Sequence, residues 1–225
     1  MGFVWAQTAY AVSVDTKSYD PASEVVVKIA GKTLVMVWDT PEGSTELTLN
    51  LSGKGALVRS IAVAPGKGKP VVVLRDVDPV TMLSIGQRDL KKRGGWTIFF
   101  DRTSRKPSES GPLTLKLKSA IVRSVGSRCI VELDRLEGQS FSGKLRFTLY
   151  AGCDLIHLQA IVQTKKDARA LLYHSGLTCD PMDKAVSWVG LDDKVHRVEA
   201  TTQPAVPEKV RNRTIALETK DGSLA

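Results

Sequence analysis

Short apolar runs rich in β-branched residues, each ended by turn-forming residues, repeat along the chain from about residue 23. Residues 24–30 (EVVVKIA) are followed by Gly31-Lys32, and residues 33–38 (TLVMVW) by a turn containing Pro41 and Gly43. Runs of this length, bounded by such residues, are typical of strands joined by tight turns. The sequence therefore predicts an all-β fold.

The same pattern continues to the end of the chain. Further strands are predicted at residues 46–51, 56–64, 71–75, 112–118, 127–133, 143–150, 155–164, 168–174, 185–190, 194–199 and 213–219. Helical periodicity is limited to two short pieces, at residues 79–86 and 204–211. Because all-β sandwiches reach this length as one unit, residues 12–225 are predicted to form a single large antiparallel two-layer β-sandwich with few short helices.

Both ends of the sequence suggest a larger exported protein. Ala9-Tyr10-Ala11 has the small-x-small form of a signal-peptidase site, so residues 1–11 are either the remnant of a signal peptide or a first strand. Near the other end, Asp221-Gly222 predicts a hairpin whose second strand stops after three residues. Since folded domains avoid bare strand edges, we expect the natural protein to continue. An extracytoplasmic location follows from the first of these interpretations.

Charge and cysteine content narrow the choice of partners. The net charge of +8 and pI of about 9.4 fit either a solvated basic surface or a partner such as an anionic glycan. Nucleic acid is not predicted, because no recognition-helix or zinc-finger pattern accompanies the charge. No apolar run approaches the ~20 residues of a membrane span.

The cysteines Cys129, Cys153 and Cys179 match no zinc motif. We therefore predict that they are small buried side chains, and we predict neither metal nor cofactor.

The best-defined element is a hairpin at residues 143–164. In GKLRFTLY the alternation predicts that Leu145, Phe147 and Leu149 face the core. A turn centred on residues 152–153 leads into the return strand LIHLQAIVQT. That register pairs position 148 with 157 and position 146 with 159. The polar face then gathers four side chains suited to sugar hydroxyls or a uronate carboxylate, unless it is simply solvated: Arg146, Thr148, His157 and Gln159.

This hairpin carries a family resemblance. The run FSGKLRFTLYAGCDLIHLQAIVQT, at residues 141–164, resembles the galactose-mutarotase-like supersandwich superfamily, and GGWTIFFD at residues 94–101 is compatible with it. That superfamily includes aldose mutarotases and β-sandwich domains of glycoside hydrolases and polysaccharide lyases. The resemblance implies a broad sheet on which a sugar lies, without fixing an activity.

A mutarotase also needs a histidine acid and a carboxylate base across the sugar. The catalytic candidates are His157, His174 and Asp180, and Tyr173 beside His174 is a candidate sugar contact. For each histidine the interpretation as an ordinary strand or loop residue is favoured over a catalytic one.

Tryptophan rings stack on sugars, although most strand tryptophans are core residues. Trp96 is the most suggestive ligand-binding candidate because it follows Gly94-Gly95, and Trp38 and Trp188 are further candidates.

No nucleophile-elbow, P-loop, zinc-protease or dinucleotide motif occurs in the sequence. Three function classes therefore remain. The first is a non-catalytic carbohydrate-associated domain of a larger exported protein. The second is a sugar-active enzyme of mutarotase or lyase type, and the third is a structural or interaction sandwich without sugar affinity.

Overall fold

The computed structural model of the chain describes residues 12–87, 109–180, 184–200, 209–220 and 222–224. Every regular element in these ranges is a β-strand, which confirms the predicted all-β fold. In chain order the strands are β1 (Ser13–Ser18), β2 (Val25–Ala30), β3 (Thr33–Thr40), β4 (Gly43–Asn50), β5 (Val58–Pro65), β6 (Val71–Gln87), β7 (Glu109–Pro112), β8 (Thr114–Leu115), β9 (Ser119–Val125), β10 (Arg128–Gly138), β11 (Phe141–Tyr150), β12 (Ile156–Gln163), β13 (Arg169–Thr178), β14 (Lys184–Gly190), β15 (Val195–Glu199), β16 (Val210–Thr219) and β17 (Gly222–Leu224).

The first sheet has six strands in the order β1-β9-β10-β11-β12, with β8 also paired to β10. Its pairs are antiparallel except for β1 and β9, which run parallel. The hairpin of β11 and β12 is the one predicted from sequence. Its register pairs Arg146 with Gln159 and Thr148 with His157, as predicted.

The second sheet has seven strands in the order β13-β6-β5-β4-β3-β2, with β7 also paired to β6. The predicted helix at residues 79–86 is wrong, because these residues lie in the second half of β6. There β6 pairs with β13 on one side and with β7 on the other, so ladder bonds on both sides hold the backbone extended. Most of the other predicted helix, at residues 204–211, lies outside the described residues, and its last two positions begin β16.

A third, smaller sheet has the order β15-β14-β16-β17. The predicted Asp-Gly hairpin near the C-terminus is its β16–β17 pair. The Thr219 hydroxyl donates to the Val73 carbonyl at 3.2 Å, which ties this sheet to β6. A third sheet, which the sequence did not predict as separate, therefore accompanies the two large sheets.

The core lies between the two large sheets. Every second residue of a strand points into it, because successive side chains point to opposite faces of a sheet. On β3 the alternate residues Leu34, Met36 and Trp38 are at most 1% exposed. On β11 the predicted inward residues Leu145, Phe147 and Leu149 are all buried against them in the same cluster. Full burial of each such side chain stabilises the fold by about 2 kcal/mol.

One end of the sandwich is fastened by the turn between β11 and β12. The Trp38 indole donates to the carbonyl of Cys153 at 2.8 Å, and the amide of Gly152 donates to the carbonyl of Asp39 at 2.9 Å. The Thr45 hydroxyl donates to the Asp154 carboxylate at 3.3 Å. The two sheets are thus joined by hydrogen bonds as well as by apolar contact, which fixes the position of the hairpin.

Across the part of the chain described above, no helix is long and apolar enough to cross a membrane.

Candidate functional site

The outer face of the first sheet, on the side away from the core, is polar and spans four neighbouring strands. Its side chains form rows across β9, β10, β11 and β12. The first row is Arg123, Ile130, Thr148 and His157, and the second is Ile121, Glu132, Arg146 and Gln159. Three interstrand spacings make each row roughly 14 Å long. The sequence-predicted set therefore lies together, as two cross-strand pairs within these rows.

A nearly buried carboxylate is the centre of this face. The side chain of Glu132 is 9% exposed, and its Oε1 accepts from Arg146 Nε at 2.8 Å. Arg146 also reaches Oε1 through a second guanidinium nitrogen at 2.5 Å, and Lys144 Nζ donates to Oε2 at 2.6 Å. Arg123 lies further off, with 3.8 Å between its guanidinium and Oε1. We refer to Glu132 with Arg123, Lys144 and Arg146 as the Glu132 cluster.

Local backbone geometry puts Glu132 on the outer face. At the start of the β10–β11 hairpin, Gly138 pairs with Phe141, and continuing that register would place Glu132 opposite the core residue Phe147. A bulge at Arg135, whose φ is +65°, shifts the pairing by one residue. Glu132 then pairs with Arg146 and points away from the core.

The environment of Glu132 favours its ionised form. Burial of the carboxyl acts to raise its pKa. The hydrogen bonds and positive charges of Lys144 and Arg146 outweigh burial, and the pKa of Glu132 lies below its ordinary value. The carboxylate is consequently charged at neutral pH and holds both partner side chains in place.

The cluster carries three cations for one carboxylate. The cationic side chains are partly accessible, at 32% for Arg123, 38% for Lys144 and 25% for Arg146. An excess of accessible positive charge, held by a buried anion, suits the recognition of an external anion. Ile121 beside it is 41% exposed and adds an apolar surface.

The remaining members of the predicted set differ in accessibility. His157 is exposed and Gln159 is half-buried, so both side chains are within reach of a ligand. Thr148 is only 5% exposed. Its hydroxyl is therefore less available than the sequence pattern indicated.

The other candidate residues lie on the second sheet. Tyr173, on β13, is 68% exposed and pairs with Leu83, and His174 is exposed opposite Met82. From His174 the extended strand runs about 13 Å to Thr178, and Asp180 follows two residues later. Asp180 is thus not a close strand neighbour of His174. Roles for these residues in catalysis or binding remain predictions.

The tryptophan candidates separate into different environments. Trp38 is a core residue, as described above. Trp188 on β14 is half-buried and stacks on His196 of β15, with ring centroids 5.7 Å apart and planes 14° from parallel. One face of that indole is therefore taken by a neighbour rather than offered to a sugar. Trp96 lies outside the described residues.

Among the described residues no group of three or more histidine, cysteine, aspartate or glutamate side chains is arranged to hold a metal ion. The thiols of Cys129, Cys153 and Cys179 are free. Burial raises the pKa of the Cys129 thiol to about 11, which is consistent with the predicted role of a small core residue.

Sequence reasoning missed Glu132, Arg123 and Lys144. A signal for Glu132 was present, because it interrupts the apolar run of residues 129–133 (CIVEL), where an acid requires partners. Its cross-strand neighbours, however, depend on the bulge at Arg135, and no pattern in the sequence predicts that bulge.

Comparisons of the chain with protein-family models, with curated proteins and with solved structures find no match.

Proposed function

We propose that this chain is a non-catalytic, carbohydrate-associated β-sandwich domain whose glycan surface is the outer face of the first sheet. The observation that carries the proposal is the Glu132 cluster in the middle of that face. Beside it lie His157 and Gln159, whose side chains offer hydrogen-bonding groups for hydroxyls, and the exposed apolar Ile121. Polar groups around a limited apolar surface are what a sugar ring requires.

The electrostatics of the cluster favour binding over catalysis. A general base works best when its pKa lies near the working pH. Glu132 is the most buried carboxylate on this face, and its pKa is lowered rather than raised. It is also engaged by Lys144 and Arg146. Such a carboxylate is a weak base and is better suited to orienting cations.

The wider setting of the domain belongs to the proposal. Membership of a larger exported protein and the likeness to the mutarotase-like superfamily rest on the sequence features given above. A sheet face that carries such groups suits a module that keeps an attached enzyme near its polysaccharide.

A glycan screen followed by titration calorimetry tests the proposed surface. Replacing both His157 and Gln159 by alanine is expected to weaken glycan binding by about tenfold or more, because two hydrogen-bonding side chains are lost. The matched control is the double replacement of Tyr173 and His174 by alanine on the second sheet, which should leave affinity unchanged.

Two outcomes contradict the proposal. If only the control pair reduces binding, the glycan site lies on β13 and not on the first sheet. If no glycan in a broad screen binds the intact chain, the third class of function, a structural or interaction sandwich, replaces the proposal.

A further inference from the structure

The charge of the Glu132 cluster is not balanced within the cluster. Both oxygens of the carboxylate already accept hydrogen bonds, Oε1 from Arg146 and Oε2 from Lys144. Arg123, at 3.8 Å from Oε1, is beyond hydrogen-bonding distance. Its positive charge is therefore the one least compensated by Glu132.

The position of Arg123 on the face is favourable for a ligand. It pairs across β9 and β10 with Ile130, and the same row leads through Thr148 to His157. The adjacent row contains the exposed Ile121 and Gln159. A sugar chain lying along these rows would meet the apolar Ile121 and the guanidinium of Arg123 at the β9 end, and the hydroxyl-binding His157 and Gln159 at the β12 end.

The chemistry of the cations selects an acidic ligand. A guanidinium binds a planar carboxylate through two parallel hydrogen bonds, and an ammonium adds a point charge. Glu132 fixes Lys144 and Arg146 in advance, so less side-chain entropy is lost when an anion arrives. The ligand carboxylate would then take Arg123 as its main partner, with Lys144 and Arg146 supplying a positive field.

We infer that this surface is selective for acidic glycans and that Arg123 receives a uronate carboxylate of the ligand. The inference rests on the proposed function and specifies its substrate class. The guanidinium of Arg123 lies 3.8 Å from Glu132 and donates no hydrogen bond to it. Its replacement should therefore disturb the fold less than replacement of Arg146.

The test compares two forms of one glycan that differ only in charge. Binding of oligogalacturonate and of its methyl ester is measured by calorimetry in about 50 mM and about 300 mM NaCl. The acidic form is expected to bind about tenfold more tightly at low salt, and the preference should shrink at high salt because partly exposed charges are screened. Arg123→Gln should remove most of the preference.

The control is Arg75→Gln on β6, which removes the same charge from an exposed position of the second sheet and should leave the preference intact. Thermal unfolding of both variants verifies that each is folded. Equal binding of the acidic and esterified forms, or equal effects of Arg123→Gln and Arg75→Gln, overturns the inference and leaves the proposed function standing. If neither form of the glycan binds, and no other glycan binds either, the inference and the proposed function are both overturned.

Discussion

Replacement of Glu132 by glutamine is expected to destabilise the fold by about 2 kcal/mol at neutral pH. Three close contacts, at 2.5, 2.6 and 2.8 Å, join this carboxylate to Arg146 and Lys144. A hydrogen bond to a charged group contributes about 1 kcal/mol more than a neutral one, which gives about 3 kcal/mol for three. Solvent screening of the partly exposed cations and relief of the buried charge reduce this figure to about 2 kcal/mol.

The pH dependence identifies the cause of the loss. Because the folded-state pKa of Glu132 lies below the ordinary value of 4.5, its contribution is complete above that pH. It is lost as the pH falls below 4.5 through the folded-state value. In urea titrations, Glu132→Gln should therefore be less stable than wild type at about pH 7, and the difference should shrink as the pH falls below 4.5.

The expected midpoint shift in thermal unfolding at neutral pH is about 4–8 °C for a chain of this size. Glu137→Gln on the same strand is the control. That carboxylate is 34% exposed and contacts Lys116 at 3.3 Å and Arg135 at 3.7 Å, so its loss should cost less than about 0.5 kcal/mol. Equal losses in the two variants, or a loss at position 132 that does not change with pH, would refute the electrostatic explanation.

Two substitutions and one labelling experiment test the contacts of the hairpin and the core. Trp38→Phe should lower the free energy of unfolding by about 1–2 kcal/mol in urea titrations, because the half-buried carbonyl of Cys153 loses its donor. Gly143→Ala should cost about 2 kcal/mol by the same measurement, since an added Cβ would lie 1.9 Å from the carbonyl oxygen of Ile161. In native protein at about pH 8, Cys129 should react with thiol reagents only on unfolding, because it is buried and its thiolate is disfavoured.

Each of these three tests has a control at another position of the chain. Trp188→Phe, in the third sheet, should cost less than Trp38→Phe. Gly176→Ala, at a strand position where an added Cβ meets nothing within 4 Å, should have little effect. The half-buried Cys153 and Cys179 should react before Cys129. A reversed order in any pair contradicts the contact invoked for it.

Local pattern was sufficient to predict most of the strands and the buried face of the β11–β12 hairpin, whereas the predicted strand at residues 112–118 is interrupted after β8 and β9 was not predicted. Leu145, Phe147 and Leu149 alternate with polar residues, and a strand has a period of two, so burial of one face follows directly. The tight turn after β11 also fixed the register that brings Arg146 to Gln159.

Features that depend on pairing between strands far apart in the sequence could not be predicted from local pattern. Residues 79–86 have no strong strand pattern of their own, and they are extended because β7 and β13 both pair with them. The outward position of Glu132 likewise depends on a single bulged residue, Arg135. One shift in register exchanges the two faces of a strand, so local propensity alone cannot place such a side chain.

The position of Glu132 is not explained by the stability of the fold alone. Ile130, two residues earlier on the same strand and face, is 7% exposed and carries no charge, so this face accommodates a buried apolar side chain. Replacing a buried ion pair by well-packed apolar residues is often neutral or stabilising. What a carboxylate at position 132 adds is a fixed arrangement of Lys144 and Arg146, with Arg123 left at the edge of the cluster. Under the proposed function that arrangement serves the recognition of an anion in addition to the fold, so the outer face of the first sheet, rather than β13, is the surface on which function should first be sought.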